Sequence, residues 1–528
     1  MSADDAERYE TVMALLADRA ASKGDSPLVH TAERVYSYRD LHRDSNAVAN
    51  ALVERSVETG DRVCTFLENS PEYLAVWFGI AKAGGVMVSL NADLQEDGLS
   101  YALRDSTATI VVLDASTREN YETIDGTDND VETEFLLGEA PPGADYRPFE
   151  ELLDAERTAS PDRQRRGSDP MSTIYTSGTT GKPKGVILPH RSYVNTGREF
   201  VNNMLSIGPD DRPFTTLPLS HCNAQQLTVT GSILAGTDFV LYPEFDPEHF
   251  WEQIRRHDAT VFNYLGTMIA NLHNTDERPD DADNPAEYGI GAGTPPGVID
   301  EFEPRFDVQL VEGYGLTETA TTAAINPMDD PRRGSIGKPL TYTELEIVDE
   351  QDRPLPPGEE GEIVVRPTEP NACMIGYHNK PEETVDVWQN LWIHTGDIGY
   401  KDDDGYFYFV DRKAYAIRRP GGNVSSDEVE SVLSDHPALT EVAVFGVPDE
   451  NGDEAVKAVV VPKPDRSPTP VDVVSYCDGK LAYYKVPRFV EVRDELPKTT
   501  TERVKKYELI GESNHDVWDR EKGYELKR

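Results

Sequence analysis

Short β-prone runs alternate with helix-length amphipathic segments along much of the chain, and that alternation restricts the fold more than any other feature. Residues 34–37 read as a strand and 38–54 as a helix, followed by strand 61–67, helix 71–82, strand 86–90, helix 100–105 and strand 109–113. A helix over 7–19 precedes them, and strands over 214–217 and 238–241 with a helix over 247–257 continue the order. Strands separated by helices are joined by crossovers rather than hairpins, so an α/β fold with mainly parallel sheets is expected. The apolar stretch 73–90 fits the same scheme. Lys82 and the pair Gly84-Gly85 divide it into helix, turn and strand, so a buried helix–turn–strand unit explains it better than a membrane span.

A chain of 528 residues is too long for one core. After about residue 410 the pattern changes: 428–433, 442–446, 455–461, 471–481 and 488–492 suggest a compact α+β unit. The expected organisation is a large N-terminal domain of several subdomains over 1–411 and a small, mobile C-terminal domain over 412–528, with a hinge near Ala414. Residues 117–162 are acidic and weakly patterned and are expected to be a surface excursion.

The charge balance is unusual: 51 Lys and Arg against 96 Asp and Glu give −45. The excess is dispersed, as in 125–134, 276–283 and 449–454, so it belongs to the whole surface rather than to one tail. Such a surface repels itself at low ionic strength and is screened in concentrated salt, which points to a salty cytoplasm of the extreme-halophile kind. Nucleic-acid binding through a broad basic face is disfavoured, because phosphate contact needs the opposite sign. The four cysteines (Cys64, Cys222, Cys373, Cys477) form no Cys-x-x-Cys pair, and residues 1–10 do not read as a signal peptide. A reducing cytoplasm is the expected setting.

The strongest local signal is Thr176-Ser177-Gly178-Thr179-Thr180-Gly181-Lys182-Pro183-Lys184-Gly185, fed by the β-prone run 172–175. Glycines let backbone N–H groups close around phosphate oxygens, hydroxyls add donors and lysine adds charge. Pro183 after Lys182 breaks the Walker A spacing, so this is a different phosphate loop. Downstream stand Tyr314-Gly315-Leu316-Thr317-Glu318 after a strand-like 308–311, Gly291-Ala-Gly293-Thr294, Thr395-Gly-Asp397 and Asp411-Arg412-Lys413 leading to Gly421-Gly422. Thr294-Pro295 also has the form of a helix N-cap followed by proline.

Taken in this order, the motifs resemble those of the adenylate-forming superfamily: acyl-CoA synthetases, firefly-type luciferases and peptide-synthetase adenylation domains. The resemblance covers most of the chain. It implies that Thr176, Ser177, Gly178, Thr179, Thr180, Gly181 and Lys184 hold the phosphates of ATP. Gly293 and Thr294 would line the adenine and acyl pocket, Tyr314 and Gly315 the adenine, and Thr317 a phosphate. Glu318, with Thr176, would hold Mg²⁺, a hard cation that wants oxygen ligands beside phosphates. Asp397 and Arg412 would grip the ribose hydroxyls, His221 would stand at the mouth of the acyl pocket, and Gly421 and Gly422 would border a pantetheine tunnel. Cys222, beside His221, has no base within evident reach and is not read as a nucleophile. The strings Asn223-Ala224-Gln225 and Phe262-Asn-Tyr-Leu-Gly-Thr267 look most like the crotonobetaine/carnitine-CoA ligase group.

Two positions depart from the family pattern. Ala414 stands where the family has an Asp or Lys hinge. In Leu496-Pro-Lys-Thr-Thr-Thr-Glu-Arg503 the adenylation lysine is replaced by Arg503, whose planar guanidinium keeps the charge but not the shape of an ammonium. The resemblance implies an AMP-forming acid–thiol ligase that uses ATP, Mg²⁺ and coenzyme A on a small-molecule carboxylic acid, in the setting of fatty acid metabolism. Two alternatives stay open: transfer of the acyl group to another acceptor, and a nucleotide- or acyl-adenylate-binding protein with impaired adenylation. Oligomeric state is not legible in the sequence.

Overall fold

The computed structural model describes residues 9–94, 96–124, 129–154, 158–176, 183–294, 296–413, 417–419, 422–448, 454–478, 480–498, 504–510 and 517–523. The chain forms two compact units. One takes most of the chain to Leu345 together with Val364–His394; the other takes Glu346–Ile363 and the chain from Thr395 onward.

The large unit is built on two mixed sheets. The eight-stranded sheet runs in the order Gly376–Tyr377, Lys184–Pro189, Pro170–Thr176, Val86–Leu90, Arg62–Phe66, Ile110–Asp114, Thr133–Leu137, Arg147–Pro148. Pairing is parallel from Pro170–Thr176 to Arg147–Pro148, and antiparallel at the two strands beyond Pro170–Thr176. The nine-stranded sheet runs Lys338–Pro339, Ala324–Ile325, Gln309–Tyr314, Tyr288–Ala292, Val261–Leu265, Pro213–Thr215, Phe239–Leu241, Pro27–His30, Val35–Ser37. It is parallel from Gln309–Tyr314 to Pro27–His30 and antiparallel outside that span. The expected mainly parallel α/β fold is therefore present.

Local chemistry sets the boundaries. Tyr38–Glu54 opens with a capping box between Ser37 and Asp40, worth about 1 kcal/mol. Ser70 caps Pro71–Ala83, proline takes the first turn, and Gly84 closes the helix in the left-handed region. Every residue of the following strand, Val86–Leu90, is buried, which accounts for the long apolar run. Among the described residues the first helix is Val12–Lys23, starting later than the expected 7–19, because the Thr11 hydroxyl accepts from Ala14 N at 3.2 Å and caps it there; residues 7 and 8 lie outside the described residues. The surface-excursion reading of 117–162 needs correction. Thr133–Leu137 is a strand of the eight-stranded sheet with Phe135 and Leu136 buried, two large apolar residues in a run too short and acidic to show a pattern. The sequence also gave no sign of the π-helical turns Phe200–Met204 and Ala224–Thr230. The helix after Thr294 is Pro296–Phe306; Pro295, the residue expected to open it, lies outside the described residues.

In the second unit, Leu439–Pro448, Glu454–Pro462, Phe489–Val492 and Trp518–Asp519 form one sheet, with the helices Ser426–Ser434 and Pro470–Tyr476 supplying Val429, Leu433, Val473 and Val474 to its core. This is the α+β pattern expected. Among the described residues no helix is long and apolar enough to cross a membrane.

Candidate active site

The strands Pro170–Thr176 and Lys184–Pro189 are antiparallel partners, and their last pair is Thr176 with Lys184. Thr176 Oγ1 donates to Lys184 O at 3.4 Å. The two ends of the phosphate-loop motif are thus held face to face by the sheet. Ser177, Gly178, Thr179, Thr180, Gly181 and Lys182 lie outside the described residues.

Lys184 and Glu318, far apart in sequence, are brought to a shared neighbour. The Lys184 ammonium lies 5.0 Å from the centre of the Tyr377 ring, within the range of a cation–π contact. The Tyr377 hydroxyl donates to Glu318 Oε1 at 2.8 Å. Burial first, and then the Glu318 charge, hold the Tyr377 phenol far above its ordinary pKa, so it remains a donor. Sequence reasoning missed Tyr377: a tyrosine in Met-Ile-Gly-Tyr reads as an ordinary core residue.

Glu318 belongs to a tight turn at the end of Gln309–Tyr314. Thr319 N, Thr319 Oγ1 and Thr321 N all bond to Leu316 O, at 3.1, 3.1 and 3.0 Å, and Met374 N donates to Glu318 O at 2.9 Å. Ala320 and Thr321 both have positive φ, 56° and 76°. Gly315 is required here, since a Cβ on it would stand 2.0 Å from Thr321 O. Tyr314 is buried; Thr317 is partly exposed, and its hydroxyl accepts from Cys222 Sγ at 3.9 Å. Burial raises the Cys222 thiol pKa, which agrees with its not being a nucleophile.

Gly293, with φ 79°, turns the chain after Tyr288–Ala292. The neighbouring strand fixes that turn: Glu312 Oε1 accepts from Thr294 N at 2.9 Å and from the Tyr264 hydroxyl at 3.4 Å. Burial is the main reason the Glu312 pKa is raised. His221 follows Pro213–Thr215, and Asn91 Nδ2 lies 3.4 Å from its Nε2, a contact that suits an unprotonated Nε2.

Asp397 and Arg412 are in the second unit, as partners on the antiparallel strands Trp392–Lys401 and Phe407–Arg412. Asp397 is buried, and its Oδ1 lies 3.1 Å from Arg412 Nε. Gly396, next to it, donates its N–H to Glu362 Oε1 at 3.0 Å, and Lys413 Nζ pairs with Glu362 at 3.1 Å. Gly422 starts the strand Gly422–Val424, whereas Gly421, Ala414 and Arg503 lie outside the described residues. Among the described residues no group of three or more His, Cys, Asp or Glu could cage a metal ion. Glu318 could contribute one carboxylate oxygen to Mg²⁺, an ion that takes most of its ligands from phosphate oxygens and waters rather than from an all-protein cage.

Residues 16–378 match the model of the AMP-binding enzyme family, and 428–503 match that of the AMP-binding enzyme C-terminal domain. The chain belongs to the AMP-binding enzyme family. Among its relatives, the crotonobetaine/carnitine–CoA ligase of Salmonella agona (strain SL483) is 34% identical over 483 residues, covering 90% of this chain and 93% of that protein. Solved members of similar structure include the anthranilate CoA ligase AuaEII in complex with anthranoyl-AMP (TM-score 0.86, 28% identity, covering 94% of this chain and 96% of that one). ATP-bound MatB from Rhodopseudomonas palustris is also similar (TM-score 0.84, 28% identity, 95% and 98% covered).

Proposed function

We propose that this chain is an ATP-dependent acid–thiol ligase that converts a carboxylic acid and coenzyme A to an acyl-CoA through an acyl-AMP intermediate, releasing AMP and pyrophosphate. The observation that carries the reading is the assembly of Lys184, Tyr377 and Glu318 beside the Thr176–Lys184 strand pair, within a chain of AMP-binding family architecture.

A carboxylate resists attack by a thiol because its leaving group would be oxide. Attack of the carboxylate oxygen on the α-phosphorus of ATP forms the mixed anhydride and expels pyrophosphate. AMP then becomes the leaving group when the thiolate attacks the acyl carbon. In this reading Lys184 and the hydroxyls and N–H groups of Thr176, Ser177, Gly178, Thr179, Thr180 and Gly181 offset charge on the phosphates, and Thr317 hydrogen-bonds one of them. Glu318, with Thr176, would hold Mg²⁺, which when bound supplies charge neutralisation at the phosphate oxygens. Tyr314, Gly315, Gly293 and Thr294 would border adenine, and Asp397 with Arg412 the ribose. His221 would border the acyl group, Gly421 and Gly422 the pantetheine arm. The small domain, from about 412, would turn near Ala414 between the two half-reactions.

Arg503 would steady the pentavalent phosphorus, but a guanidinium fits that place less well than an ammonium. Adenylation should therefore be slow and thioester formation from a supplied acyl-adenylate less affected. Arg503→Lys is expected to accelerate carboxylate-dependent pyrophosphate exchange, and an unchanged rate removes this account of Arg503. The similarity to a crotonobetaine/carnitine–CoA ligase makes short polar acids the first substrates to try, ahead of longer acids of fatty acid metabolism. The net charge of −45 supports a halophilic cytoplasm as the setting. The deciding assay is AMP release over a panel of carboxylates in molar KCl with MgATP and coenzyme A. AMP that requires both acid and coenzyme A is expected; AMP formed equally with another acceptor, or none with any acid, rejects the reading.

A further inference from the structure

Lys184 and Glu318 carry opposite charges, yet they do not form an ion pair with each other; both contact Tyr377 instead. The Tyr377 backbone is fixed from two sides. It is the Cα partner of Val186 in the strand leaving the phosphate loop, and its N–H donates to Thr384 Oγ1 at 2.9 Å. Three residues before it, Met374 N holds the Glu318 carbonyl at 2.9 Å. One short segment therefore registers the loop strand, the acidic turn and the tyrosine against one another.

The chemistry of these contacts is selective in what it occupies. A π face attracts an ammonium without taking up its N–H donors as a carboxylate would. A phenol hydroxyl takes one carboxylate oxygen and leaves the other. A direct Lys–Glu pair would instead neutralise both groups and spend their hydrogen-bonding capacity on each other. We infer that Tyr377 is a positioning residue, a spacer that keeps the Lys184 ammonium and the Glu318 carboxylate from pairing so that one is presented to a polyphosphate and the other to its divalent cation. The inference rests on the ligase reading and adds a residue that none of the phosphate, ribose or C-terminal motifs contains.

The test separates the ring from the hydroxyl. Tyr377→Phe keeps the ring under Lys184 and removes the donor to Glu318; Tyr377→Leu removes both. ATP binding is measured by calorimetry on the full chain, without acid or coenzyme A, across a Mg²⁺ titration and again in EDTA, with thermal unfolding as the check on folding. Tyr377→Phe should raise the Mg²⁺ concentration for half-maximal ATP binding about tenfold, the size expected for one charge-assisted hydrogen bond, and leave binding in EDTA within about twofold. Tyr377→Leu should weaken binding in EDTA as well, because Lys184 can then swing to Glu318. In a Glu318→Gln background Tyr377→Phe should add nothing to the Mg²⁺ effect, since it acts through that carboxylate. An unchanged Mg²⁺ midpoint in Tyr377→Phe, or additivity with Glu318→Gln, overturns the inference. A wild-type chain that binds no ATP at any Mg²⁺ concentration overturns the ligase reading itself, before any variant is compared.

Discussion

In the eight-stranded sheet the last parallel strand, Pro170–Thr176, is followed by an antiparallel neighbour, Lys184–Pro189; in the nine-stranded sheet Gln309–Tyr314 is followed in the same way by Ala324–Ile325. The connection in the first carries the phosphate-loop motif, and the connection in the second carries Tyr314 to Glu318. Where a sheet switches from parallel to antiparallel, no helical crossover leaves the carboxyl end of the last parallel strand, and its loop is available for a ligand. The two loops meet that opportunity by different means. The first is specified by composition, with glycines and hydroxyls between two strand ends clamped at Thr176 and Lys184. The second is specified by packing: converging bonds on Leu316 O, two non-glycine residues at positive φ and no room for a Cβ at Gly315. Substitutions at the groups that hold the backbone should therefore change chemistry more than stability in the first loop, and stability as well as chemistry in the second.

The largest effect expected is common to both. Lys184→Ala and Glu318→Gln should each slow carboxylate-dependent pyrophosphate exchange by roughly 10²–10³-fold, the scale of a lost charge-stabilising group. Neither should move the thermal midpoint by more than a degree or two, about 0.5 kcal/mol. A rate within threefold of wild type for either variant would mean that only one of the two turns serves the reaction.

Next come the backbone positions, where the edges should part. Gly315→Ala places a methyl group 2.0 Å from Thr321 O and 2.6 Å from Thr321 C, backbone atoms that cannot give way without opening the turn. A loss of about 3 kcal/mol or more is expected. On the other edge, Thr176→Val removes only a long bond to Lys184 O (3.4 Å) from a strand pair that persists, a cost below about 1 kcal/mol, while exchange activity falls. Thermal unfolding and exchange rates of the two variants measured together give the contrast; equal losses of stability would erase it.

How far the sequence revealed this contrast depends on which loop is considered. Composition made the phosphate loop legible, because glycine, hydroxyl and lysine residues in a row have few other uses. The β-prone runs 172–175 and 308–311 marked where Pro170–Thr176 and Gln309–Tyr314 lie, and Tyr38–Glu54 was found at its true bounds, whereas the capped helix Val12–Lys23 was read as 7–19. What holds Glu318, the Thr294 turn and His221 in place was not legible. Tyr377, Glu312 and Asn91 reach their partners through tertiary packing across 59, 18 and 130 residues, and no local pattern marks a buried phenol or acid as a strut. Thr133–Leu137 was lost for a related reason: its place in the sheet is fixed by its parallel neighbour, not by its own acidic surroundings.

A smaller effect tests whether the second turn is strained. Ala320 sits at φ 56°, where a Cβ costs about 1–2 kcal/mol, while its carbonyl accepts from Thr196 Oγ1 at 3.0 Å. Ala320→Gly removes that cost but enlarges the freedom of the unfolded chain by about 0.5–1 kcal/mol. The net should be a gain below ~1 kcal/mol, seen as a small rise in the thermal midpoint. A fall would mean that packing around Thr196, not backbone strain, governs the turn.

The smallest effect concerns the acid beneath the second edge. Glu312 holds the Thr294 turn and the Tyr264 hydroxyl, and burial raises its pKa above the ordinary carboxylate value. The folded chain therefore binds this proton more tightly than the unfolded chain does. The stability that follows is fully present below the unfolded carboxylate pKa and is lost as pH rises through the folded one. Glu312→Gln keeps an oxygen to accept from Thr294 N and cannot ionise. Melting curves taken from acid to neutral pH should coincide best at the acid end and diverge as pH rises, the wild type falling relative to the variant until Glu312 is fully charged. Parallel curves across that range would show that Glu312 is solvated as well as paired, and that the second edge stores no charge. Divergence of the opposite sign would show that the Thr294 N–H outweighs burial, so that the turn after Gly293 is held by an ionised carboxylate.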